Sequence, residues 1–205
     1  MVCAAVLIGG AVVLVLLLRS PSESASDGVV EEVRIPVRVV DEEHTFDLDL
    51  AVFPTVRGRV AYEGPSQGDG EENWKASHVY EGVELRAVMD QAADLDGVES
   101  VSAVALDGWH KTLSAAVLDG DTACGTAILA LSVDGEASEG WEDAPMLVFL
   151  PEDERFSNQD MLDALGSDRA HYFGTLPSTT GLMVKGIRFL VLDYDGGSLP
   201  TLDDL

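Results

Sequence analysis

The sequence predicts a mixed, β-rich α+β domain preceded by one N-terminal transmembrane helix, on three observations. Val2 to Leu18 is an uninterrupted uncharged run, VCAAVLIGGAVVLVLLL, within the range of lengths that cross a bilayer. Downstream, short apolar segments alternate with polar residues at a period of two and are cut by Gly-, Pro- and Asp-rich turns. Two other stretches carry helical spacing followed by a glycine stop, at Gly97 and Gly166.

Residues 1–19 are expected to anchor the chain, 20–28 to form a tether, 29–192 to fold as one domain and 193–205 to form an acidic tail. A cleaved signal peptide is the alternative for the first segment, since Ser24-Ala25-Ser26 offers small residues. Against it, the start has no basic n-region and the apolar run is longer than a usual signal core. Arg19 alone would keep the domain in the cytoplasm by the positive-inside rule, but no polybasic flank reinforces it. The expectation is a single-pass cell-membrane protein with its domain outside the cytoplasm. Ser20 to Gly28 is Ser-rich and poor in apolar residues, as a spacer requires.

Within the domain, Val33 to Val40 alternates around Arg34, Pro36 and Arg38, and Thr45 to Leu50 alternates Phe46, Leu48 and Leu50 with polar partners. Arg57 to Tyr62 gives a third strand, and Gly64 to Glu72 carries too many turn formers to be anything but a loop. A helix is expected over Val83 to Ala93, where Val83, Leu85, Val88, Met89 and Ala92 fall near one face and Gly97 follows. Val101 to Leu106 reads as a buried strand that turns at Asp107-Gly108 into Trp109 to Leu113. Ser114 to Ala123 is expected as a short helix, Ala127 to Val133 as a strand ending at Asp134-Gly135, and Met146 to Leu150 as a strand closed by Pro151. Ser157 as N-cap, Asp160 in the first turn and Gly166 past the end frame a second helix. Leu182 to Leu192 is a strongly apolar final strand.

Charge bounds the partners. The 205 residues hold 12 Lys and Arg against 37 Asp and Glu, a net charge of -25. Such a field repels phosphate backbones and anionic headgroups, which argues against nucleic acid as a partner. Hydrophobic residues make up 46% of the chain, too many for a disordered polyanion, so the acid sits on a folded surface. Lys75, Lys111 and Lys185 are its only lysines, a balance met in salt-adapted, halophilic proteins, where a short Debye length screens dense negative charge. Cys3 lies in the apolar run and Cys124 in the domain, so no disulfide staples the domain. CxxC, HExxH, Walker, GxSxG and Asn-x-Ser/Thr patterns do not occur.

The order of segments is nevertheless similar to that of a known family. Tyr80-Glu81-Gly82-Val83-Glu84-Leu85, Asp107-Gly108-Trp109, Val133-Asp134-Gly135-Glu136, Ala144-Pro145 through Pro151 and Val184-Lys185-Gly186-Ile187 together resemble the molybdopterin-binding domain of the sulfite oxidase and related oxidoreductase families, over about Val33 to Leu192. The resemblance implies a β-rich sulfite-oxidase-like fold and molybdopterin as the cofactor class; the residues on their own call for no cofactor. In catalytic members a Cys on the strand before the Tyr-x-Gly-Val segment ligates molybdenum, a soft donor for that metal. The corresponding stretch is Val60-Ala61-Tyr62-Glu63-Gly64, which has no thiol. The family's strand arginine is also missing, since Met146 and Leu147 follow Pro145, and with it goes a bidentate donor for oxyanions. The expectation is a membrane-tethered, non-catalytic domain that binds a pterin, another small ligand or a protein partner. A molybdenum oxidoreductase with an atypical ligand set and a structural envelope protein are the alternatives.

Four residues stand forward as candidate contacts to a pterin or its phosphate: His78, Asp107, His110 and Lys185. Each has a plainer reading, the histidines as half-exposed turn residues, Asp107 as the opening of an Asp-Gly turn and Lys185 as a lysine snorkelling from a strand. Trp74 and Trp109 could stack on a flat ligand or fill the core. Cys124 is a displaced thiolate or inert core. Asp41-Glu42-Glu43-His44 could bind a divalent cation or form a solvated turn, and no metal site is expected. Tyr62 or Glu63 is expected at the floor of a cleft rimmed by Gly64 to Glu72, His78 and the turn from Asp107 to His110.

Overall fold

A computed structural model describes Leu7–Ile8, Ala11–Val12 and residues 35–41, 44–66, 71–92, 95–120, 122–137 and 140–193. The chain divides into two units, Met1–Glu32 and Val33–Leu205. In the first, β1 (Leu7–Ile8) pairs antiparallel with β2 (Ala11–Val12). The rest of the expected anchor, the tether over 20–28 and the tail beyond Asp193 lie outside the described residues. No helix among the described residues is long and apolar enough to cross a membrane.

The second unit is built mostly of strands: β3 (Pro36–Val40), β4 (Thr45–Asp49), β5 (Thr55–Tyr62), β6 (His78–Glu84), β7 (Ser100–Ala105), β8 (His110–Ser114), β9 (Thr126–Val133), β10 (Glu136–Ala137), β11 (Met146–Leu150), β12 (Arg155–Phe156), β13 (Tyr172–Phe173), β14 (Leu176–Pro177) and β15 (Ile187–Asp193). Among the described residues it also holds two short α-helices, α1 (Leu85–Ala92) and α2 (Asn158–Leu165). One sheet runs β10-β9-β6-β5-β12 with β11 also on β9; the other runs β4-β3-β15-β7-β8, and β13-β14 is a separate hairpin.

The elements follow from their residues. In β3 the alternation turns Val37 and Val39 into the core. β7 lies between β15 and β8 and is buried at every position, as its small and β-branched sequence SVSAVA allows. Leu85, Val88, Met89 and Ala92 form the buried stripe of α1, which packs on β6, β9 and β4. A capping box starts α2: the Ser157 side chain accepts from the Asp160 amide while the Asp160 carboxylate accepts from the Ser157 amide. One continuous core joins residues of both sheets and both helices.

Three expectations are corrected. His78–Glu84 is a strand, so the helix expected from Val83 begins only at Leu85. Its alternation is hidden by a register shift against β9 between Glu81 and Gly82. There the Gly82 backbone lies so close to β9 that a Cβ would overlap the Leu129 carbonyl and the Ala130 Cα. The helix expected over Ser114 to Ala123 is a shorter 3-10 turn, Ala115–Asp119, ended by Gly120 in the left-handed region. The last strand starts at Ile187 rather than Leu182, because Thr179–Leu182 is a 3-10 turn and Gly186 has φ 62.

Gly82→Ala should cost about 1–3 kcal/mol as an overpacking change. The expected readout is a lower urea midpoint at unchanged slope; a midpoint equal to that of the parent would contradict the close approach.

Candidate functional site

β5 ends in the stretch where the resemblance puts a metal-ligating thiolate. The same alternation that buries Val60 carries Tyr62 inward, leaving it 3% exposed. Its hydroxyl accepts from the Phe149 amide at 2.7 Å and donates to the Phe149 carbonyl at 3.3 Å. The ring stands edge-on to Phe156 at 5.6 Å. Burial pushes the phenol well above its ordinary pKa. Glu63 is 8% exposed, and its carboxylate accepts from the amide of Asn158, the first residue of α2, at 2.7 Å. A helix N-terminus is a favourable place for that negative charge. The Glu63 carbonyl accepts from the Thr179 hydroxyl at 2.8 Å. Asn158 closes the knot, donating to the Gly64 carbonyl at 3.0 Å and accepting from the Thr179 amide at 2.9 Å. Tyr62 and Glu63 therefore belong to packed interior, not to the floor of an open cleft: both satisfy polar groups of the protein itself.

The four candidate contacts fall in two places. His78 lies 2.7 Å from Asp134 through Nδ1, and this hydrogen bond holds the Asp134 carboxyl below its usual range. Next to them Tyr80 packs on Trp141 at 6.3 Å, and burial pushes its phenol up to about 12. Asp143, whose charge adds to that shift, accepts from Lys185 at 2.7 Å. His78 and Lys185 thus end one array that runs through Tyr80 and Trp141, each engaged by an aspartate. Asp107 and His110 lie in the turn between β7 and β8. There Asp107 accepts from the Trp109 amide at 2.9 Å, and His110 Nδ1 lies 3.1 Å from the Gly108 carbonyl. Surface cavities of about 320, 280 and 440 Å³ take in none of the four.

Of the remaining candidates Cys124 lies in the core, whereas neither Trp74 nor Trp109, which is 48% exposed, fills it. Trp74 donates to Glu72 at 2.7 Å and lies under the Arg155 guanidinium at 4.4 Å. The Cys124 thiol is buried, and burial pushes it up to about 12. Asp41 and His44 face each other across the turn between β3 and β4; Glu42 and Glu43 lie outside the described residues. Among the described residues no group of three or more His, Cys, Asp and Glu could hold a metal ion.

One cluster has no signature in the sequence. Lys111 on β8 donates to Nδ1 of His171 at 3.0 Å, across 60 positions of chain. Trp109 meets the same imidazole edge-on at 6.0 Å, Phe173 meets it at 4.9 Å, and the Lys111 ammonium sits 5.4 Å from the Trp109 ring centroid. Gly181 makes the room, since a Cβ there would overlap the imidazole. Accepting at Nδ1 puts the proton of the neutral ring on Nε2, which is buried without a partner. Burial lowers the Lys111 pKa, and burial together with the Lys111 charge lowers that of His171. A base whose folded pKa lies below its unfolded value contributes its stability in full above the unfolded value and loses it as pH falls through the folded one. In a proton NMR titration His171 should accordingly titrate below about 6.5; a midpoint at or above that value would contradict the arrangement.

No family model matches the chain, and no curated protein sequence matches it. Among solved structures, the crystal structure of the sulfane dehydrogenase SoxCD from Paracoccus pantotrophus is similar to it at 15% sequence identity and a TM-score of 0.48. The match covers 77% of this chain and 37% of that one, so the chain spans little more than a third of the length of the protein it matches.

Proposed function

We propose that this chain is a membrane-tethered, non-catalytic binding domain on a sulfite-oxidase-like scaffold. Three of the motifs behind that resemblance fall at turns between strands or on a strand: Asp107-Gly108-Trp109 between β7 and β8, Asp134-Gly135 between β9 and β10, and Met146 to Leu150 as β11. The residues in the stretch to which the resemblance assigns the metal ligand do not fit molybdenum. Tyr62 and Glu63 offer hard oxygens in place of a soft thiolate, and both are already bonded within the protein. Cys124, the one thiol in the domain, is held protonated at neutral pH with its pKa near 12, whereas a metal ligand must be the thiolate. The observation that carries the reading is the Tyr62 hydroxyl bonded to both backbone groups of Phe149, which supports a closed interior in the stretch to which the resemblance assigns the thiolate.

Purified from a host that makes the molybdenum cofactor, the protein should carry no molybdenum and oxidise no sulfite, and Cys124→Ser should change neither result. Near-stoichiometric molybdenum, above all molybdenum released by Cys124→Ser, would overturn the proposal.

A further inference from the structure

The five-stranded sheet has two unlike ends. Its register brings Pro36, Asp49, Ile187, Ala105 and His110 to one end and Val40, Thr45, Asp193, Ser100 and Ser114 to the other. The exposed large hydrophobic side chains of the described residues are Val52, Leu106, Trp109, Tyr172, Phe173 and Leu176. Val52 follows the end of β4 beside Pro36, and Leu106 and Trp109 form the turn between Ala105 and His110. Tyr172, Phe173 and Leu176 belong to the β13-β14 hairpin, which His171 ties to this turn by touching both Trp109 and Phe173. All six therefore lie at one end of the sheet, Val52 at its β4 edge and the other five grouped around the β7-β8 turn, where Leu106 is 70% exposed and Phe173 55%. Exposed apolar patches of this kind mark a partner surface.

The chain itself names the partner. It enters the domain at Ile35 and Pro36, at this same end, where Pro36 and Leu106 line one shallow cavity of about 220 Å³. Residues 19–34, which separate Pro36 and Ile35 from the apolar run of Val2 to Leu18, cannot reach beyond about 55 Å even fully extended. We propose that this end of the domain docks on the lipid surface that the apolar run enters, with Leu106, Trp109, Tyr172 and Phe173 in the headgroup region. The inference rests on the membrane-tethered reading above. Trp and Tyr suit that layer, having an apolar body and a polar edge. A domain of this charge is repelled by anionic lipid, so the docking is hydrophobic, prefers zwitterionic headgroups and survives high salt.

The test uses the full chain in phosphatidylcholine vesicles containing brominated acyl chains, with flotation and tryptophan emission read on the same samples. The expected result is flotation together with bromolipid quenching that persists at 1 M KCl. Trp109→Phe, or the surface substitution Phe173→Asp, should abolish most of that quenching while flotation is retained. Flotation without Trp109-dependent quenching would overturn the docking and leave the tether standing. Failure to float would remove the tether and the docking with it. Trp109 emission that instead follows protein concentration at fixed lipid would assign the patch to a second copy of the chain and overturn the proposal.

Discussion

The reciprocal hydrogen bonding of Tyr62 with Phe149 is the constraint on which the rest of the domain depends. Both backbone groups of Phe149 turn towards Tyr62, so this one hydroxyl satisfies a buried donor and a buried acceptor that β9 does not. Leaving either unpaired would cost about 1–3 kcal/mol. The next residue, Glu63, extends the tie to α2 through Asn158 and to the turn at Thr179. Strands β5, β11 and β12, helix α2 and the approach to β15 are thereby joined through two adjacent residues at the end of β5.

This bears directly on function. A thiolate at the Tyr62 position could not bridge both Phe149 groups, and a cleft opened there would strand them. The Tyr62 side chain closes the interior at the end of β5. Polar chemistry is left on the surface instead, in the array from His78 to Lys185 and in the cluster around His171. Of the two, the His171 cluster is the one that binds two exposed aromatic loops into a single surface.

Much of the fold was legible. The Ser157, Asp160 and Gly166 frame gives α2 to the residue, and the Asp107-Gly108 and Asp134-Gly135 pairs mark turns between paired strands, with Gly108, Asp134 and Gly135 at positive φ. β6 was not legible, because the bulge at Gly82 interrupts its alternation and the following apolar residues look like the first turn of a helix. The candidate site was legible only in part: the absence of a thiol from Val60 to Gly64 is plain in the sequence, but the Tyr62 hydroxyl's partner lies 87 positions away. Lys111 and His171 are likewise unremarkable until Gly181 admits the imidazole beside them. Pairings of this kind depend on tertiary approach, and local periodicity carries no trace of them.

Native-state hydrogen exchange at the amides of Phe149 and Asn158 tests the closure of this interior most directly. The Tyr62 hydroxyl and the Glu63 carboxylate are their acceptors, so both amides should exchange only through global unfolding, with the protection of the core strands. Fast exchange at both, independent of global stability, would show that the position opens in the native protein and would contradict the sealed interior.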